Sequence, residues 1–245
     1  MVLIHGLRGS LLAWRQIQPR VARFTRVCSY SRAGLGRSEA RTGRGSRVDG
    51  SDLAAELHTL LRRSGVGGPY VPVGHSFGGA VAQLFADAYP SGVNGVVLVD
   101  PVPATFLSVP RSRLYRIAGR ARVERILARG VREGESVVDV ERVGKQLLDA
   151  GGLGSLPMVL LTRGLAPPDS TPEFEQLWTQ LQRQEARLST NSVHVVAARS
   201  GHGIHRDQPE LVTRAIREVV AHGRTRSALP PCPRLFGGPG AECAP

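Results

Sequence analysis

Residues 94–100, Asn-Gly-Val-Val-Leu-Val-Asp, contain an unbroken apolar run bounded by a glycine and an aspartate. A strand with one wet face would alternate, so such a run suits a strand covered on both faces. Val2-Leu3-Ile4, Tyr70–Gly74 and Pro157–Thr162 have the same character, and Thr25–Tyr30 and Asn191–Ala198 also read as strands. Helical patterns lie between them, over residues 11–23, 77–89, 173–188 and 209–221. Asp52 opens a further helix with Leu53, Leu57, Leu60 and Leu61 on one face. Strands alternating with helices predict βαβ units. The fold class is therefore α/β, a mostly parallel open sheet with helices on both faces.

Three segments depart from this rhythm. Ser31–Gly50 is a Gly- and Arg-rich loop. Residues 101–156 carry arginine-rich helical segments and no clear strand. Residues 223–245 hold Pro, Gly and Cys with little periodicity and read as a disordered tail. With 245 residues and 41% apolar content, the chain can build a real core. That composition excludes a disordered chain and a membrane bundle, and no stretch approaches the roughly 20 apolar residues that span a bilayer. No signal peptide is visible at Met1-Val2-Leu3-Ile4-His5-Gly6. Cys28, Cys232 and Cys243 are odd in number and widely spaced. They suggest neither a disulfide framework nor a zinc site, and point to a cytoplasmic protein. The formal charge is +12, yet Lys145 is the single lysine and aromatics are 5%. A nucleic-acid binder mixes lysine and aromatics into its basic patches, so no nucleic-acid partner is expected.

Gly74-His75-Ser76-Phe77-Gly78-Gly79 sits between an apolar strand and a helix. That context makes G-x-S-x-G a nucleophile elbow, with glycines where the sharp turn crowds the backbone. Ser76 is the expected nucleophile, with the positive end of the following helix beneath it. His5-Gly6-Leu7 follows the first strand, and the amides of Leu7 and Phe77 are the expected oxyanion donors.

A serine needs a positioned base. His202, in Ser200-Gly201-His202-Gly203, lies just beyond the last strand, where an open α/β sheet keeps its site. His205, three residues on, is the lesser candidate. His58, His194 and His222 lie within elements. The acid that orients the imidazole is either Asp100 or Asp169. Asp100 ends a strand before Pro101 and stands slightly ahead. Asp169 follows the next strand but also suits a helix N-cap with Ser170 and Thr171. Asp207 suits the start of the last helix.

HGLRG, Trp14, YSRAGLGRS (30–38), GHSFGG, VVLVDP, PMVLLTRG and SGHGIHRDQPELV occur in that order. Over residues 1–222 the chain thereby resembles the α/β-hydrolase superfamily. The resemblance implies a core of 1–100 and 157–222, with a helical lid at 101–156. It also implies two strands upstream of the HG strand that this chain lacks, which exposes a sheet edge. Ser31 stands where the family usually has Asp. Ser76 disfavours the carboxylate-nucleophile members, such as epoxide hydrolases. The implied activity is hydrolysis of an ester-type acyl bond of a small molecule through an acyl-enzyme, with no metal or organic cofactor. The alternative is a non-catalytic member silenced by its shortened N-terminus. In the lid, Arg111–Arg132 has Leu114, Ile117, Ala118, Ala121 and Leu127 interleaved. It reads as a helix with one face on the site rather than one resting on, or inserted stably into, a membrane.

Overall fold

In the computed structural model, which describes residues 1–42, 47–120, 123, 132–133 and 136–244, neighbours in the 94–100 run go to opposite cores. Val96 and Leu98 pack with Phe77, Val81 and Leu57 on one face. Val97 and Val99 pack with Val212, Ile216 and Val219 on the other. All four strand residues are fully buried. Burial on both faces is why this strand carries no polar alternation.

The strands are β1 (Val2–Ile4), β2 (Cys28–Ser29), β3 (Arg47–Val48), β4 (Pro72–His75), β5 (Val96–Val99), β6 (Arg132–Glu133), β7 (Ser136–Val138), β8 (Met158–Arg163), β9 (Ser192–Ala197) and β10 (Ala241–Cys243). Seven form one sheet in the order β10-β9-β8-β5-β4-β1-β2. It is parallel except for β10, which runs antiparallel to β9. The carboxyl ends of β4, β5, β8 and β9 therefore lie side by side.

Residues 11–23 make a short 3-10 turn, Leu11–Trp14, and a four-residue helix α1 (Gln18–Val21) instead of one helix. Pro19 lacks the amide that a continuous helix would use there. In α2 (Gly50–Arg63), Asp49 and Asp52 form a reciprocal capping box. Its Leu53, Leu57 and Leu61 are buried, but Leu60 is turned out to 40% exposure. Then come α3 (Phe77–Ala88), α4 (Ala104–Ser108), α5 (Arg111–Ala118), α6 (Val140–Asp149), α7 (Pro172–Glu185), α8 (Ile204–Asp207) and α9 (Pro209–Thr225).

Residues 101–156 leave from β5 and return to β8, its direct neighbour. The segment is not wholly helical. β6 and β7 join β3, from the expected 31–50 loop, in a second sheet ordered β3-β7-β6. Strands of two or three residues are too short for periodicity to reveal. Leu114 and Ala118 of α5 are buried, so its apolar face meets the protein. Ala121 and Leu127 lie outside the described residues. No helix among the described residues is long and apolar enough to cross a membrane.

The tail expected to be disordered is folded. α10 (Cys232–Phe236) buries Leu235 and Phe236 in the core beside β9. β10 pairs Ala241 with Ala197, and a Cys232–Cys243 disulfide joins helix to strand. The reading of three unpaired cysteines is corrected with it. Two bulky apolar side chains and a strand that covers the β9 edge give this Pro/Gly-rich segment its place.

Candidate active site

Ser76 joins β4 to α3 with φ 55° and ψ −125°, a region that L-residues avoid. The glycines permit the turn. A Cβ on Gly74 would stand 2.2 Å from the Gly78 carbonyl oxygen, and one on Gly78 would stand 2.3 Å from that of Ile4. The Ser76 amide donates to Val99 O of β5 at 3.0 Å, tying the turn to the sheet. α3 begins at Phe77, whose amide has no helical acceptor.

Asp100 follows β5 with φ 40° and is fully buried. Its Oδ2 lies 2.6 Å from His202 Nδ1. Its Oδ1 accepts from the Arg163 amide at 3.2 Å and from Trp178 Nε1 at 3.4 Å. Arg163 Nη1 reaches Oδ2 at 3.2 Å. Burial alone raises the Asp100 carboxyl, but the His202 hydrogen bond and charge, with Arg163, outweigh it and hold the carboxyl below its ordinary range. The structure thus brings Asp100 to His202. Asp169 lies in the exposed turn before α7, whose N-cap is Thr171, accepting from the Phe174 amide at 3.2 Å.

His202 rides the turn after β9, and its side chain is 45% exposed. Its carbonyl oxygen meets His75 Nε2 at 2.9 Å, and the two rings lie 4.7 Å apart. His205 is buried in α8 against Trp14, 5.1 Å between ring centres. Burial first, then the charges of Arg206 and His202, push its pKa down to about 4. Burial and the same neighbouring histidines lower His75 as well.

The HG loop is held by residues the sequence did not single out. Arg32, 2% exposed, donates Nη1 to His5 O and Nη2 to Gly6 O, both at 2.7 Å. Glu133, fully buried in β6, pairs with Arg32 Nε at 2.7 Å and with Nη2 at 2.5 Å, and accepts the Arg8 amide at 3.0 Å. A Cβ on Gly6 would stand 3.1 Å from Ser76 Cβ, which places the loop against the elbow. Among the described residues the Leu7 and Phe77 amides have no acceptor. Ser31, where the family usually has Asp, accepts the Leu11 amide at 3.1 Å. These partners are far apart in sequence and carry no local signal. No group of His, Cys, Asp and Glu suited to a metal occurs among the described residues.

Residues 1–134 match the model of a family described as alpha/beta hydrolase fold. A Bacillus subtilis protein, YqjL, whose activity is uncharacterised, is 27% identical over 225 residues, covering 89% of this chain and 82% of its own. Lipase LipV of Mycobacterium tuberculosis is 36% identical over 104 residues, 42% of this chain and 38% of the lipase. A solved thermophilic esterase from Thermogutta terrifontis superposes with a TM-score of 0.59 at 22% identity, covering 91% of this chain and 89% of the esterase.

Proposed function

Because the chain belongs to the alpha/beta hydrolase fold family, we propose that it is a serine hydrolase cleaving an ester-type acyl bond of a small molecule. Ser76 Oγ attacks the acyl carbon as His202 Nε2 takes its proton. His202 Nδ1 is engaged by Asp100, which fixes the tautomer and stabilises the imidazolium that forms. The Leu7 and Phe77 amides hold the oxyanion. Collapse breaks the bond to the leaving alkoxide, which takes the proton from His202 and departs as the alcohol. Water, deprotonated by His202, then cleaves the acyl-enzyme to the carboxylic acid and free Ser76. These steps call on no metal or organic cofactor.

The observation that carries this reading is the 2.6 Å contact of His202 with a buried Asp100, at the end of the strand beside the elbow. The esterase and lipase among its relatives favour esters as the substrate class. Residues 101–156, which connect β5 to its neighbour β8, would serve as the lid.

Fluorophosphonate labelling with peptide mapping tests the proposal. A single adduct on Ser76, absent in Ser76→Ala and blocked by a substrate ester, is the expected result. A folded chain that takes no label would support the non-catalytic reading instead.

A further inference from the structure

Arg163 is the last residue of β8, and its side chain is 5% exposed. Three neighbours fix its guanidinium. Nη1 meets Asp100 Oδ2 at 3.2 Å, Nη2 meets both Glu175 oxygens at 3.0 Å, and its Cζ lies 4.4 Å from the Trp178 ring centre. Glu175 is anchored in turn by the Ser170 hydroxyl. The Arg163 amide and Trp178 Nε1 both hold Asp100 Oδ1. Asp100 Oδ2 is thus shared between a guanidinium and the His202 ring, while Oδ1 is fixed by two further donors.

We propose that Arg163, clamped by Glu175 and Trp178, is a positioning residue that sets both the direction of the Asp100 carboxylate and the basicity of His202. This rests on the reading of Ser76, His202 and Asp100 as a triad. The clamp holds the carboxylate rotamer with Oδ2 toward Nδ1. The guanidinium also offsets part of the carboxylate charge that would otherwise stabilise the imidazolium, because both groups share Asp100 Oδ2. Among the described residues, the charged and titratable groups near His202 include Asp100 after β5, His75 from β4, His205, Arg206 and Asp207 from α8, with Asp207 Oδ2 on the Gly201 amide, and, through Asp100, Arg163 from β8 and Glu175 from α7. Among them, Arg163 and Glu175 bear on Asp100 with opposite charge, which makes the proposal separable from simple structural support.

The His202 imidazole is titrated by long-range proton–nitrogen NMR on the full chain in a Ser76→Ala background. Arg163→Met moves the His202 titration to higher pH, Arg163→Lys leaves it in place, and Glu175→Gln moves it to lower pH. In the Ser76 enzyme, Arg163→Met cuts kcat about tenfold or more with KM within about twofold, and moves the acid limb of kcat/KM upward by the same step. Should Arg163→Met not fold, Arg163→Gln keeps two donors without the charge and gives the same titration. An unmoved His202 pKa in the folded neutral variant, or shifts of the same sign for the Arg163 and Glu175 variants, overturns the proposal. The titration needs no turnover, so a chain without esterase activity would refute the proposed function and still report on Arg163.

Discussion

Glu133, on the segment between β5 and β8, meets Arg32 at 2.5 Å, and that same guanidinium holds the His5 and Gly6 carbonyls of the HG loop. The pair is fully desolvated, so removing one partner strands a buried charge, a loss of about 3–5 kcal/mol.

Glu133→Gln is therefore expected to lower both stability and turnover. With one oxyanion donor worth about a hundredfold or more in kcat, displacement of Leu7 should cost kcat about 10–100-fold and leave KM little changed. The combination Arg32→Met with Glu133→Leu should recover stability but not turnover. Thermal melts and ester kinetics on the same samples check this. Full turnover in the apolar pair would show that the charges only support the fold.

Asp100→Asn should reduce kcat by about 10³–10⁴-fold, because the amide favours the wrong imidazole tautomer. Asp169→Asn, in an exposed turn, should stay within about twofold. Steady-state ester kinetics decide between them, and the reverse order would move the acid to Asp169.

Glu185 of α7 is buried, and among the described residues no cation stands beside it. Gln83 Nε2 and the Ala104 amide donate to it at 2.9 and 3.2 Å. Burial pushes its pKa up to about 7, above its ordinary value of 4.5, while those two hydrogen bonds pull the other way. The folded state then binds the proton more tightly than the unfolded chain. Its contribution is complete below pH 4.5, is lost as pH rises towards 7, and is flat above that. The loss is on the order of 3 kcal/mol. Glu185→Gln should flatten the pH dependence of chemical denaturation over that window, and an unchanged slope would contradict it.

The Cys232–Cys243 bond closes a loop of sequence separation 11 at the tail. Its loss should cost about 3 kcal/mol. Cys232→Ser, or reduction of the wild type, should therefore lower Tm by about 6–12 °C. The tail also steadies the turn that carries His202: Gln208 Nε2 donates to Gly240 O at 2.7 Å, while Gln208 Oε1 accepts from Arg199 N and Ser200 Oγ. Reduced protein should lose activity at a lower temperature than oxidised protein, as timed heating followed by assay would show. Identical melts with and without reductant would refute the coupling.

The strands and helices that build the sheet were legible because burial on both faces leaves apolar runs such as Val96–Val99 without alternation. The elbow was legible because its glycines answer a local steric demand at Ser76. His202 stood out by its place after the last strand. The carboxylate that meets it did not, since Asp100 and Asp169 both follow strands, and only the packing of β5, β8 and β9 brings Asp100 beside Arg163 and His202. Arg32 and Glu133 lie 101 residues apart, so no spacing rule links them. β3, β6 and β7 are too short for a period. In the tail, Pro and Gly masked the buried Leu235 and Phe236.

The most direct measurement is rapid mixing of the purified chain with p-nitrophenyl acetate, followed by acid quench and peptide mapping. An acyl-enzyme on Ser76 predicts a p-nitrophenol burst matching the enzyme concentration. The acetyl group should be trapped on the Ser76 peptide and be absent in Ser76→Ala. Steady ester hydrolysis persisting in folded Ser76→Ala, or acetyl trapped on another residue, would contradict the nucleophile assignment.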